Sequence, residues 1–286
     1  MARQPFGPVI VGVDGSGASL AAVELAAEEA MARVAPLTVV HVRGESVRYG
    51  GGHVEAPEEA RRVVALAVGR AQSEHPGLSV TARLVPGEPA AVLAELSRGA
   101  SLLVVGHRGS GAVPGRSIAA RVVRRVQVPV IVHRPLDDAH AVTLPRPVLV
   151  GVEDAVRSES VVEFAFAEAA LRGTSLLGVH VWSCPGDTGP IQFGPFGYDF
   201  TRDHDVADAL LTEALWRWAR KYPEVRVHRA VRHSLDVPVA LTAASRAVQL
   251  AVIGSRRRDP SRPLPGSAFQ ALLYRGGCPI AVVPTG

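Results

Sequence analysis

Two short stretches of this chain carry the residue types that an anion-binding crevice needs. One apolar run, Val9–Val13, stops at Asp14-Gly15-Ser16, and another, Leu102–Val105, stops at Gly106. Beyond Gly106 come Gly109, Gly111 and Gly115, then Ser117 at the head of a helical pattern. Glycine lets backbone approach a ligand closely, and the first N–H groups of a helix favour an anion. An acidic turn facing such a loop across one crevice is the chemistry of a nucleotide site. His107 lies in the loop, where it is either a phosphate neighbour or an exposed ring. Ser16, Ser110 and Ser117 have no His/Asp arrangement beside them, so nucleophilic catalysis has little support. No Walker-type lysine is present, so any hydrolysis is slow and the expectation is at most a weak ATPase.

The same constellation occurs twice. VIVGVDGS at 9–16 returns as VLVGVEDA at 148–155, an offset of 139, and SLLVVGHRG at 101–109 is echoed by QLAVIGSRR at 249–257. In the second copy Glu153 stands in place of the aspartate and Arg257 in place of the middle glycine. Gly254, Gly266 and Ser267 survive there as a vestigial site. Arg256, Arg257, Arg258 and Arg262 read first as solvated charge.

The repeat sets the architecture that must position these residues. Domain 1 spans 1–136, a linker spans 137–147 and domain 2 spans 148–286. With 47% hydrophobic residues, each half has enough apolar side chains for a core of its own. In the first half the strands read Val9–Val13, Leu37–Val42, Val80–Val85, Leu102–Val105 and Val128–Val132. Helical patterns run from Ser16 or Ser19, from Pro57 to about Ala71, over Ala90–Leu96 and over Ser117–Arg125. On the first helix, Glu24, Glu28 and Glu29 are expected to face water. The second half reads as Val148–Val152, a helix over Ser160–Leu171, Leu176–Val181, a helix over Val206–Lys221, Val225–Val231, a helix over Val239–Ala247, Leu250–Ile253, a helix over Ala268–Tyr274 and Ile280–Val283. Five strands interleaved with four helices predict an α/β fold with a doubly wound parallel sheet in each half. Residues 183–198 read as a long surface loop.

Gly12 and Gly151 sit inside strands, where glycine marks close packing. His41 and His180 occupy equivalent positions and read as hydrogen-bonded structural histidines, since neither has metal-ligand spacing around it. Trp216 and Trp218 fall two apart on one helix, which makes Trp218 a core residue and Trp216 an interface residue. If the closing strands lay at sheet margins they would expose unpaired backbone groups.

Composition narrows the partners. The net charge of +4 and a single lysine, Lys221, give no field suited to a phosphate backbone, so nucleic acid is not expected. No uncharged apolar run reaches the roughly 18 residues of a membrane span. No apolar signal region precedes the first strand, which points to the cytoplasm. Cys184 and Cys278 read as reduced thiols.

The order VGVDGS, VVHV, VVGHRG, a glycine-serine-like helix start and a closing P-V-x-V strand resembles the universal stress protein family in its tandem form. The resemblance implies five-stranded sheets in the order 3-2-1-4-5. It also implies ATP, with Mg, or a related adenine nucleotide in those members that keep a G-x2-G-x9-G-[ST] loop. Carried onto this chain, the ligand residues are Asp14, Val40 (through its backbone), Gly106, Gly109, Gly115 and Ser117. The loop here is about three residues shorter than the pattern. The role implied is regulatory, in a stress-response protein whose closing strands Val130–Val132 and Ile280–Val283 join the two halves or two chains of a homo-oligomer. The alternative is a nucleotide-free interaction module in which the tandem repeat acts as a pseudo-dimer. An alpha-hydrolase reading lacks its S-G-G-x-[ST] loop.

Overall fold

The computed structural model describes residues 7–44, 57–107, 117–136, 145–183, 200–256 and 267–285. The linker segment 137–144, the loop residues 184–199 and Cys184 lie outside them. The chain divides into two compact units. The first extends to Arg134 and takes in Ile280–Pro284.

In the first unit, β1 (Val9–Val13), β2 (Leu37–Arg43), β3 (Val80–Pro86), β4 (Leu102–Gly106) and β5 (Val130–His133) alternate with α1 (Gly17–Ala32), α2 (Pro57–Glu74), α3 (Pro89–Leu96) and α4 (Ile118–Val123). The strand order is β3-β2-β1-β4-β5, all parallel. The central strands are near-continuous apolar runs because helices cover both faces, and Val9, Val11, Val39, Leu103 and Val104 are fully buried. Register places Gly12 of β1 level with Val40 on one side and Val105 on the other. Ile280, Ala281 and Val282 pair antiparallel with Val132, Ile131 and Val130, so this strand pairing is made within the chain.

In the second unit, β6 (Val148–Gly151), α5 (Glu159–Leu171), β7 (Leu176–Trp182), α6 (Phe200–Lys221), β8 (Val227–His233), α7 (Val237–Ala244), β9 (Leu250–Arg256) and α8 (Ser267–Arg275) repeat the pattern. Their order is β8-β7-β6-β9. The closing strand β10 is Ile280–Thr285. Four helices stand in each repeat, as expected. No helix among the described residues is long and apolar enough to cross a membrane.

Several boundaries differ from the sequence reading by a few residues, and three of them have a visible cause or extent. Helix α6 begins at Phe200 rather than Val206, because its polar first turns lack an apolar period. Helix α7 begins two residues early, at Val237, since Asp236 caps it by accepting from Val239 N at 3.0 Å. Strand β8 ends at His233, two residues beyond Val231.

Glu29 does not face water. It is 4% exposed and pairs with Arg33 one turn on, and Arg33 Nη1 also donates to Glu29 O at 3.2 Å. Glu168 and Arg172 repeat the arrangement in the second unit, at 3.2 Å. A carboxylate with a cation at i+4 carries its counter-charge into the interior, which an apolar-stripe reading does not register.

Helices α1 and α5 end identically, with one substitution. Val34 N donates to Met31 O at 3.1 Å and Ala35 N to Ala30 O at 2.9 Å; Gly173 N donates to Ala170 O at 3.2 Å and Thr174 N to Ala169 O at 3.0 Å. Both residues after the cap are left-handed, Val34 at φ 53° and Gly173 at φ 59°. Glycine adopts that conformation freely, whereas a side chain costs roughly 1–2 kcal/mol there. Val34 is also 83% exposed, so its removal forfeits little packing. Val34→Gly is therefore expected to stabilise the protein by about 1 kcal/mol in urea denaturation, and Gly173→Val to destabilise it by a similar amount. An unchanged midpoint in both variants would sink this account.

Candidate functional site

Open parallel sheets bind ligands at the carboxyl ends of strands where strand order reverses. In the first unit that point lies between β1 and β4, where the Asp14 turn and Gly106 meet. Asp14 Oδ1 accepts from Ser16 N at 3.0 Å and Ser16 Oγ at 2.6 Å. Ser16 caps α1 by accepting from Ser19 N at 3.2 Å. Ser19 Oγ donates to Ser16 O at 2.9 Å, and Asp14 N donates to Ser19 Oγ at 3.3 Å. The circuit holds a turn around Gly15, whose φ of 81° suits glycine. Asp14 thus does the turn-capping work common for aspartate after a strand.

The strand entering that turn is pinned by His41. Its Nδ1 lies 2.8 Å from Val13 O, and since a carbonyl only accepts, that nitrogen carries the proton. His180 does the same to Val152 O at 2.9 Å. Both are structural, as the sequence reading held. Val40 is fully buried within β2 and sits level with Gly12.

Gly106 has a packing reason. A Cβ there would come within 2.9 Å of the Ala18 backbone, so glycine lets the end of β4 abut the first turn of α1. Gly12 likewise makes room for Leu93. Gly17, by contrast, has nothing among the described residues within 4 Å of the position its Cβ would take. The first turn of α1 therefore presents bare backbone beside the strand ends. Ser117 caps α4, accepting from Ala120 N at 3.3 Å. Gly109, Gly115 and Gly266 lie outside the described residues. Near Gly106, His133 is paired in register across β4 and β5; burial pushes its imidazole below the ordinary 6.5, and Glu24 pulls the other way.

The second unit keeps the frame and alters the opening. Glu153 N donates to Ser158 Oγ at 3.1 Å, as Asp14 N does to Ser19 Oγ. At the positions of Gly17 and Ala18, however, stand Val156, which is 83% exposed, and Arg157. The Arg157 guanidinium reaches Asp154 at 3.5 Å and Glu153 at 3.9 Å, and the Arg157 backbone N–H donates to Asp154 Oδ1 at 2.7 Å. The acidic turn is answered from within. Gly254 meets only side-chain methyls, Thr285 Cγ2 at 3.0 Å and Val161 Cγ2 at 3.1 Å, and Ser267 opens α8. Among the described residues no cluster of three or more His, Cys, Asp or Glu side chains could hold a metal ion.

Sequence reasoning missed Glu88. It caps α3, accepting from Ala90 N at 2.9 Å and Ala91 N at 3.0 Å. It also ties α3 to α4 through Arg121 at 2.7 Å and Arg125 at 2.5 Å. The signal was present in two places: Glu-Pro at a helix start, and arginines four apart in and just after the next helix. Partial burial alone would raise the Glu88 carboxyl. The Ala90 N–H, Arg121, the Ala91 N–H and Arg125 together outweigh it and hold the group below its ordinary 4.5.

A family profile described as Universal stress protein family matches residues 5–134 and again 145–284. A universal stress protein of Mycolicibacterium smegmatis is 34% identical over 96% of this chain and 96% of its own. One from Mycobacterium tuberculosis is 35% identical, again over 96% of each. The solved universal stress protein of Archaeoglobus fulgidus superposes with a TM-score of 0.71 over 99% of both chains at 17% identity, a likeness of fold.

Because the folded carboxyl of Glu88 titrates lower than the unfolded one, its stabilisation is complete above the unfolded value and is lost as pH falls through the folded value. Glu88→Ala is expected to cost about 1 kcal/mol at neutral pH through the lost cap. Glu88→Gln should flatten the fall in stability between about pH 5 and pH 3 relative to the parent. Identical acid limbs for parent and Glu88→Gln in urea titrations would refute the assignment.

Proposed function

The chain belongs to the universal stress protein family, and from that premise we propose that its first domain binds an adenine nucleotide, ATP in the first instance, as a regulatory ligand. The site residues we assign are Asp14, the Val40 backbone, Gly106, Gly109, Gly115 and Ser117, with Mg arriving on the phosphates rather than in a protein cage. The observation that carries the reading is the difference between two equivalent stretches after the first strand of each repeat: a helix start at Gly17-Ala18 and a turn ahead of α5 at Val156-Arg157. Gly17-Ala18 leaves the head of α1 open to an anion beside the β1/β4 switch point. Val156-Arg157 fills the corresponding place in the second domain with an apolar side chain and an internal cation. One copy thus suits a phosphate-bearing ligand and the other suits structure.

Occupancy rather than turnover is the output in this proposal, since no Walker-type lysine is present to assist transfer. Such a protein works in the cytoplasm as a stress-response component, and homo-oligomers carry the signal. The nucleotide-free interaction module is the reading favoured by Asp14, whose carboxylate is engaged by its own turn. Calorimetry on the full chain separates the two. ATP is expected to bind, Asp14→Ala or Gly17→Val to weaken it at least tenfold, and Arg157→Ala to leave it unchanged. Absence of binding at millimolar ATP would falsify the nucleotide reading and leave the interaction module in its place.

A further inference from the structure

Helix α4 is only six residues long, Ile118–Val123, and it begins directly after Ser117. A helix that short closes too few hydrogen bonds of its own to stand alone, so its place is set by tertiary contact. Ala119, Val122 and Val123 bury its inner side, but apolar contact is not directional, and a polar tie to α3 fixes where α4 lies. Leu93 of α3 is itself buried against β1, where a Cβ on Gly12 would come within 2.9 Å of Leu93 Cδ1. Gly12 lies level with Val40 and Val105, so α3 is seated on the central strands beside the β1/β4 switch point. From the head of α3, Glu88 reaches across: Arg121 Nη2 lies 2.7 Å from Oε1, and Arg125 Nη1 lies 2.5 Å from Oε2. One carboxylate, already held by the Ala90 and Ala91 N–H groups, thus grips α4 in its middle and just past its end. Exposed ion pairs contribute little singly; a shared carboxylate in a network is the case in which they count.

The second repeat does without this tie. Ser117 and Pro129 correspond to Ser267 and Pro279, an offset of 150 in both, which sets Ala271 in the place of Arg121 and Arg275 in that of Arg125. Glu88 corresponds to Asp236, which caps α7 from the same position. Its side chain is one methylene shorter, and among the described residues it forms no ion pair. Helix α8 is nine residues long and buries Phe269, Leu272 and Leu273, so packing holds it without charge. The bridge accordingly belongs to the copy whose helix head is open. The copy whose acidic turn is answered by Arg157 has none among its described residues.

We infer that Glu88 is a positioning residue for the nucleotide: through Arg121 and Arg125 it holds α4 so that Ser117 stands where the ligand needs it, without touching the ligand itself. The inference rests on the nucleotide reading of the first domain and adds what sets the affinity from outside the crevice. It differs in sign from a direct effect of charge. Through space, removing a carboxylate near an anion site tightens binding of the anion. Removing the contact that positions α4 loosens it, because a displaced binding group loses much of its effect. Glu88→Gln separates the two, since the amide oxygen still accepts from the α3 N–H groups and only the charge is gone.

Calorimetric titration of the full chain with ATP at neutral pH tests it, on variants that circular dichroism shows to be folded. Glu88→Gln should weaken binding about fivefold, the size that two half-exposed ion pairs support. Arg121→Gln/Arg125→Gln should weaken it at least as much. The triple variant should bind within about twofold of that double variant, because one and the same contact has been removed. Asp236→Asn, at the matching cap of the second repeat, should leave affinity unchanged. Hydrogen exchange at Ile118–Val123 should quicken in Glu88→Gln while that at Ser267–Arg275 stays as in the parent. A parent that binds no ATP at millimolar concentration removes the nucleotide reading and this inference together. A parent that binds, beside a Glu88→Gln variant that binds as tightly or more tightly, leaves that reading standing and overturns this inference alone. Unchanged exchange at Ile118–Val123, or a triple variant weakened by the product of the two separate effects, overturns it likewise.

Discussion

A parallel strand that stops inside a folded core leaves its last carbonyl with nowhere to go, and the rest of this structure depends on how that group is satisfied. In both repeats a histidine on the neighbouring strand supplies the proton: His41 to Val13 O, His180 to Val152 O. An unmet buried carbonyl costs on the order of 1–3 kcal/mol, so the bond fixes where the strand ends and the turn begins. A serine at the head of the following helix then takes the next N–H: Ser19, in the first turn of α1, for Asp14, and Ser158, just before α5, for Glu153. Strand end, turn and helix start are thereby a single hydrogen-bonded unit, and the crevice takes its shape from it.

The two copies separate what the frame demands from what the opening permits. Histidine, serine and the buried Glu–Arg pair of the first helix recur because each answers a backbone or charge requirement that both copies share. The residues facing the crevice differ between the copies: Asp14 and Gly17-Ala18 in the first, Glu153 and Val156-Arg157 in the second. Where Gly17-Ala18 open α1, Val156-Arg157 lie in a turn and α5 starts only at Glu159; the bond from the strand end to the serine is kept.

Much of this was legible in the sequence, for identifiable reasons. Strands covered on both faces are apolar runs, so β1, β2, β4 and their counterparts can be read directly. The pairing of His41 with His180 as structural residues followed from their isolation. Helix α6 was misjudged at its start because Thr-Arg-Asp-His-Asp carries no apolar period; the inward-facing residues begin only at Ala207 and Leu211. Glu29 was misplaced because its partner's charge, rather than its own polarity, decides where it goes. Gly106 was read as room for a ligand, but its immediate neighbour is the Ala18 backbone. Sequence names a glycine; only packing says which atom it yields to. The Glu-Pro helix start marked Glu88 as a cap, but its two arginines, in and just after α4, are joined to it only by the fold.

The placement of Ile280–Pro284 with the first compact unit bears on how the molecule is made. A ribosome delivers β1 through β5 early, yet the antiparallel partner of Val130–Val132 follows only after β6 to β9. Until then the margin of the first sheet is uncovered, open to chaperones or to a neighbouring nascent chain. Loss of Ile280–Val282 would therefore injure the repeat that precedes it in the chain.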